Sequence, residues 1–465
     1  MRCKWSHEYQ TSTGAHNFYN QPTQNINPYG FSDIQASNSD SNISRGKGTK
    51  TCPQFYTLDS APSLYGSPLA ASISDETNVL QPLRALKNEF LSPESDVDYS
   101  GSFSSPFTTY DTIQKMAPHM DLIQLLTACA EIISEADNLS FPKEKLAISA
   151  SKALMDVLEK RVSESGEPLQ RLGAYVLEGL RARLLSSGNI IYKKLKCKEP
   201  RGSELMSYMQ VLSQICPYYK FAYLSANVMI AEAMENESRI HIIDFQIAQG
   251  SQWVPFIQTL SRRPGGPPFL RITGIDDPQS AYARGGGLRS VGERLSQEAE
   301  SCGVPFDFRG EVQPSNLKVQ YGEALAVNFP YVLHHVPDES VSTTNERDRL
   351  LRLVKSLSPK IMTLVEQESN TNTAGFVRRF RETVDYYGAM FESIDAAARP
   401  RDDRVRVSAE EHCVARDVVN IIACEGGERV ERHELFGKWR LRLTMAGFNP
   451  VRLSSSVSGT RLRKC

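Results

Sequence analysis

The residues best placed to do chemistry are acids that follow apolar runs. Ile240-His241-Ile242-Ile243-Asp244 reads as a strand ending in a carboxylate, followed by Phe245-Gln246-Ile247-Ala248-Gln249-Gly250-Ser251-Gln252-Trp253, a loop with one glycine that leads into an amphipathic helix. Phe269 to Ile275 is a second apolar run and ends at Asp276-Asp277. In open α/β sheets, ligands bind outside the carboxyl ends of the strands, and an acid after the second strand accepts ribose hydroxyls in dinucleotide folds. Asp244, Gln246, Gly250 and Asp276 are therefore the pocket candidates for an adenosyl-type ligand or a methyltransferase-like activity.

The glycines argue the other way. A nucleotide loop needs two or three of them for tight turning and close approach. Here only Gly250 lies near Asp244, while Phe245, Ile247 and Ala248 carry side chains where a ligand would need room. Gly285-Gly286-Gly287 follows the second strand and reads as a flexible helix entry. The plainer account of Asp244 is a brace for the strand-to-helix loop, and no cofactor is expected. Nucleophile-elbow, zinc-protease and phosphate-loop motifs are absent, so no catalytic residue is assigned and the chain is expected not to be an enzyme. His334-His335 has no Cys or carboxylate at ligand spacing beside it in the sequence and is expected to be a packed or surface pair, with no metal.

Two patterns could serve partners. Leu122, Leu125 and Leu126 form an L-x-x-L-L face of the kind that docks in a groove, although any core-facing helix shows the same spacing. Basic residues cluster at 378–381, 399–406 and 429–442, the last with Trp439. Such clusters could track phosphates, but interleaved acids make a solvated, salt-bridged face the simpler reading.

These residues need a scaffold of sufficient size. The chain has 465 residues, 40% hydrophobic, with a formal net charge of −1, so no global field points to nucleic acid or an anionic membrane. Nine scattered cysteines without a C-x-x-C pair argue against a disulfide framework or structural zinc and suit a reducing compartment. No run approaches the ~18 apolar residues of a membrane span, and the start lacks the apolar core of a secretory signal; a soluble, intracellular protein is expected. Residues 1–117, rich in Ser, Asn, Gln and Tyr, read as a disordered regulatory tail. Within it, 54–60 and 82–91 are candidate docking stretches.

From Asp121, an N-cap candidate, helical periodicity predicts helices near 122–133, 143–161, 167–185 and 203–235. Strands at 240–244, 269–275, 304–308, 324–333 and 360–366 then alternate with helices near 251–263, 287–302 and 344–357, before long helices at 374–394 and 409–424. That alternation predicts an α/β fold, Rossmann- or methyltransferase-like, with a mainly parallel sheet. A helical cap at 118–236 precedes the α/β core at 237–457.

Taken together, the motifs resemble the GRAS family of plant regulators over about 117–457, a specific match because several occur in order. Ile240 to Asp244 is similar to that family's VHIID core, with Ile for Val. The leucine-rich helices from Asp121 and the 287–317 region resemble its two leucine repeats. Pro330, Tyr386-Tyr387 and Arg416-Asp417 fall where its P-FY-RE elements lie, with Asp for Glu, and Arg432-His433-Glu434 with Trp439 resembles the start of its SAW region. Stretches 55–60 and 283–288 resemble the scarecrow-like branch associated with phytochrome A signalling. The resemblance implies a Rossmann-type fold with a helical cap. It also implies a transcriptional regulator or co-regulator in light, hormone or stress signalling, located in the nucleus and also compatible with the cytoplasm. Its implied partners are transcription factors, signalling proteins and a second copy of the chain, with DNA reached directly or through partners. Past Leu453-Ser454-Ser455 the family continues through a strand pair, whereas 457–465 lacks apolar alternation. A missing final hairpin is therefore expected, with exposed sheet edge and reduced stability.

Overall fold

The computed structural model describes residues 113–136, 143–185, 202–275, 287–311, 317–397 and 399–453. The tail expectations for 1–112, Asp276, the loop at 193–198 and the atypical end at 458–465 lie outside them.

Five strands form one parallel sheet: β1 (Arg239–Asp244), β2 (Phe269–Ile275), β3 (Phe306–Glu311), β4 (Ala324–Pro330) and β5 (Ile361–Val365). Their order is β3-β2-β1-β4-β5. The chain winds outward from β1 through β2 to β3, then crosses to the other side of β1 for β4 and β5. The direction therefore reverses between β1 and β4, where Asp244 pairs in register with Asn328. In a doubly wound sheet that reversal opens the ligand crevice. The three central strands β2, β1 and β4 are largely buried because both faces are covered, whereas the edge strand β3 alternates Phe306, Asp307, Phe308 and Arg309 and is half-buried.

The helical block comprises α1 (Leu122–Ala136), α2 (Lys143–Glu159), α3 (Pro168–Leu184), α4 (Gly202–Ile215) and α5 (Pro217–Ala233). Asp121 caps α1 through a reciprocal pair: its Oδ1 accepts from Gln124 N at 2.8 Å and Gln124 Oε1 accepts from Asp121 N at 3.0 Å. The single helix expected over 203–235 is instead two. Pro217 has no N–H to continue the ladder and occupies the first turn of α5.

Helices α6 (Trp253–Ser261), α7 (Gly287–Ser301) and α8 (Glu346–Ser356) flank the sheet. The strand expected to reach Leu333 stops at Pro330, because Tyr331 takes a positive φ of 55° and the chain turns into a short 3-10 helix at Leu333–His335. Next come α9 (Phe376–Asp395), α10 (Arg404–Glu410), a π-helical turn at Glu411–Ala415, α11 (Arg416–Ala423) and α12 (Phe436–Met445).

The cores do not divide at residue 236. Phe376, Phe380, Val384, Tyr387, Phe391 and Ile394 recur along one face of α9 and join Val418, Ile421 and Ile422 in the same core as Leu125, Leu126, Leu154, Leu172 and Leu180. The cap is thus built from both ends of the domain. Its first helices pack on one another and also on α9 and α11, some 200 residues or more further along the sequence.

Candidate functional site

At the reversal point Asp244 is 1% exposed. Its Oδ2 accepts from Trp253 Nε1 at 2.7 Å and from Asn328 Nδ2 at 3.4 Å, and its Oδ1 accepts from Gln246 N at 3.0 Å. The amide lattice continues outward. Asn328 Nδ2 donates to Gln252 Oε1 at 3.1 Å, Thr363 Oγ1 donates to Asn328 Oδ1 at 2.8 Å, and Gln252 Nε2 donates to Asn227 Oδ1 at 3.2 Å. These bonds run from α5 in the cap to β5 in the sheet. They engage both carboxylate oxygens of Asp244.

The loop after β1 fills the remaining space. Phe245 stacks on Phe329 with centroids 4.3 Å apart. Ile247 lies over Gly274, where an added Cβ would meet it at 2.9 Å. Gly250 has a φ of 67°, and a Cβ there would meet Leu295 at 3.0 Å and Val291 at 3.1 Å. Its lack of a side chain lets the loop approach α7, not a ligand. The open hollow near the sheet lies elsewhere, a space of about 290 Å³ lined by Thr273, Arg309, Glu311 and Lys318.

At the other end of β1, His241 Nε2 lies 2.8 Å from Thr273 Oγ1 and Nδ1 lies 3.2 Å from Glu323 Oε2. Burial lowers the His241 pKa to about 4, aided by Arg271 and Arg309 and opposed by Glu323.

The docking expectation for the first leucine-rich helix is corrected. Leu125 and Leu126 are buried in the cap core, and Leu122 packs partly buried against it. The L-x-x-L-L face therefore belongs to the interior.

The basic clusters are also corrected. They are salt-bridged but only partly solvated: Arg379, Arg406, Arg429, Arg432 and Arg442 are buried, while Arg378, Arg381, Arg401, Arg404 and Arg440 are exposed. Arg442 Nε donates to Glu434 Oε2 at 2.7 Å, Nη2 donates to Asp338 Oδ2 at 3.1 Å, and Nη1 donates to Glu339 Oε2 at 2.9 Å and Asp348 Oδ1 at 3.0 Å. Glu434 also receives Asn372 Nδ2 at 2.7 Å and forms ion pairs with Lys438 Nζ at 2.7 Å and Arg347 Nη1 at 3.2 Å. Trp439 is buried with the Arg347 guanidinium 5.1 Å from its ring. Arg432 Nη1 donates to Asn372 Oδ1 at 3.3 Å. Asp338 is held well below the usual carboxylate range, because bonds from Ser340 and Asn372 and the charge of Arg347 outweigh its burial.

The remaining motif residues line the seam between cap and sheet. Pro330 closes β4, and Tyr331 meets Tyr219 of α5 with centroids 5.0 Å apart. Tyr386 and Tyr387 lie 5.3 Å apart edge to face. Tyr387 Oη donates to Gln367 Oε1 at 3.2 Å and lies 3.4 Å from Asp417 Oδ2, beside the half-buried Arg416.

Sequence reading missed a further cluster, because its members lie far apart in the chain. His334 Nδ1 lies 2.6 Å from Glu366 Oε2, and its Nε2 lies 3.1 Å from Glu431 Oε2. His335 Nε2 lies 3.0 Å from Glu431 Oε1, and His433 Nε2 lies 3.6 Å from Glu431 Oε2. The carboxylates that the sequence does not place beside the histidine pair come from residues 366 and 431. Burial works against a charge on His334, but Glu366 and Glu431 outweigh it and raise its pKa to about 10. Burial and the neighbouring His334 keep His433 neutral.

Residues 122–461 match the GRAS domain family. The chain is 54% identical to Scarecrow-like protein 13 of Arabidopsis thaliana over 433 residues, covering 90% of this chain and 79% of that protein. It is 50% identical to Scarecrow-like transcription factor PAT1 of the same plant, covering 95% and 92% respectively. Among solved structures, that of SCL7 from Oryza sativa superposes with a TM-score of 0.61 at 33% identity, covering 73% of this chain and 88% of that one. The ordered motifs, the parallel sheet and these likenesses agree, and the chain belongs to the GRAS domain family, among its scarecrow-like members.

Proposed function

We propose that this chain regulates transcription in plant light, hormone or stress signalling, acting through contacts with transcription factors and signalling proteins and carrying out no reaction of its own. Its relatives support a regulatory role, one of them being named a transcription factor. The observation that carries the non-catalytic part is the closure of the sheet's ligand crevice: Trp253 and Asn328 hold the Asp244 carboxylate, and Ile247 covers Gly274. A working nucleus-based regulator needs only surfaces, and the buried lattice from Asn227 to Thr363 makes the cap and the sheet present theirs as one body. Reading DNA through the basic clusters is disfavoured, because five of their arginines are buried.

The test has two arms. Calorimetry with S-adenosylmethionine should give no heat of binding; a binding isotherm abolished by Asp244→Ala would overturn the non-catalytic reading. Affinity capture from plant nuclei, with and without residues 1–117, should return transcription factors on the domain itself. Recovery of none by either form would count against the partner-borne role.

A further inference from the structure

We propose that His334, His335, His433 and Glu431 form a binding site for a zinc-type divalent cation, with Glu366 as the carboxylate that fixes the ligand orientation. Glu431 is the hub. The Nε2 atoms of the three histidines lie 3.1, 3.0 and 3.6 Å from its two carboxylate oxygens. Ligand atoms about 2.0–2.1 Å from a tetrahedral zinc stand roughly 3.3 Å apart, so these spacings bracket the edge of such a site. The ligand atoms of His334, His335 and Glu431 all lie within 4.8 Å of one another.

Two observations separate this cluster from an ordinary set of charged hydrogen bonds. The first is His433, which is 0% exposed and whose two ring nitrogens make no hydrogen bond. A buried imidazole without a partner is costly and calls for an explanation, and coordination through Nε2 supplies one. The second is the arrangement of Glu366. Its Oε1 accepts from the backbone N–H of Leu333 at 2.7 Å and of His334 at 3.3 Å, and its Oε2 holds His334 Nδ1 at 2.6 Å. That is the carboxylate–histidine arrangement by which an outer residue fixes the tautomer and turns Nε2 toward a metal. On binding, the cation takes the place of the Nε2 proton of His334, which leaves to solvent. His335, with a 36% exposed side chain, marks the entry side. The ion would pin the turn after β4 to the segment that precedes α12, joining the sheet to its last helix.

The experiment uses the full chain, stripped of metal with a chelator and titrated with Co²⁺, then Zn²⁺. The expected result is one equivalent of Co²⁺ with the visible bands of a tetrahedral nitrogen–oxygen site, displaced by one equivalent of Zn²⁺. His335→Asn, at the exposed rim, should keep the fold by circular dichroism and weaken Zn²⁺ by 10-fold or more. Glu366→Gln should weaken it by about 10–100-fold. The proposal is overturned if the chain takes up no stoichiometric Co²⁺ or Zn²⁺. It is equally overturned if the Co²⁺ spectrum shows thiolate charge transfer, which would put the ion on cysteines, or if a folded His335→Asn binds as tightly as the parent.

Discussion

Asp244 and Glu434 are both buried carboxylates, yet they are held in opposite ways. Among its described partners Asp244 accepts from three neutral donors, two of them within nine residues in the chain and one on the adjacent strand. Glu434 is satisfied by Arg347, Lys438 and Arg442, in a cluster that also takes in Asp338, Glu339 and Asp348. Among the described residues, the first arrangement is local and fastens the loop after β1 to the strand beside it. The second balances charge against charge and ties α8, α12 and the loop between β4 and α8 together. A single strand-end carboxylate can thus be held by donors close by, whereas a buried acidic cluster has to recruit cations from distant sequence.

The difference predicts a ranking of sensitivities. Arg442→Ala should cost about 3–5 kcal/mol in urea unfolding, because it leaves buried carboxylates uncompensated; a loss below that of Asp244→Ala would break the comparison. Next comes acid. The His241 pKa in the folded chain lies below its unfolded value, so between about 6.5 and 4 the unfolded chain binds a proton that the folded one does not. Its contribution is fully present above that window and should fall by roughly 3 kcal/mol as pH drops through it. His241→Gln should flatten that slope, and an unchanged slope would assign the acid sensitivity to the carboxylate cluster instead. Asp244→Ala should cost about 2–3 kcal/mol by orphaning Trp253 Nε1, with Asp244→Asn milder since an amide oxygen still accepts. Gly250→Ala should be the mildest, at about 1–2 kcal/mol, from its left-handed backbone and its contact with Leu295 and Val291. A neutral result there would show that the loop can shift away from α7.

Much of the frame was legible because it depends on local pattern. The runs at Ile240–Asp244 and Phe269–Ile275 are apolar and bounded, and both are strands at or within one residue of those limits. The missing glycines pointed to the loop packing that Ile247 and Gly250 display. What was illegible depends on long-range pairing. The run 429–442 looks like a wet basic face because charge along a chain says nothing about acids far upstream, such as Asp348 and Asp338, 94 and 104 residues before Arg442. The helix α12 went unpredicted for the same reason: its buried side chains, Trp439 and Arg442, do not make an apolar stripe. The leucines of α1 showed the converse limit, since spacing alone does not say whether an apolar face meets a partner or the rest of its own domain.

The span of the Arg442 contacts also bears on how the molecule is made. Asp338, Glu339 and Asp348 leave the ribosome about 90 to 100 residues before the guanidinium that neutralises them. Contacts of such separation form late, after the intervening loop has been closed. During synthesis, the sheet can pair all five of its strands while this acidic patch still lacks Arg442. At that stage Asp338 has Arg347, Ser340 and Asn372 as partners, and Glu339 and Asp348 still await Arg442. The emergence of α12 then supplies the guanidinium that completes the cluster.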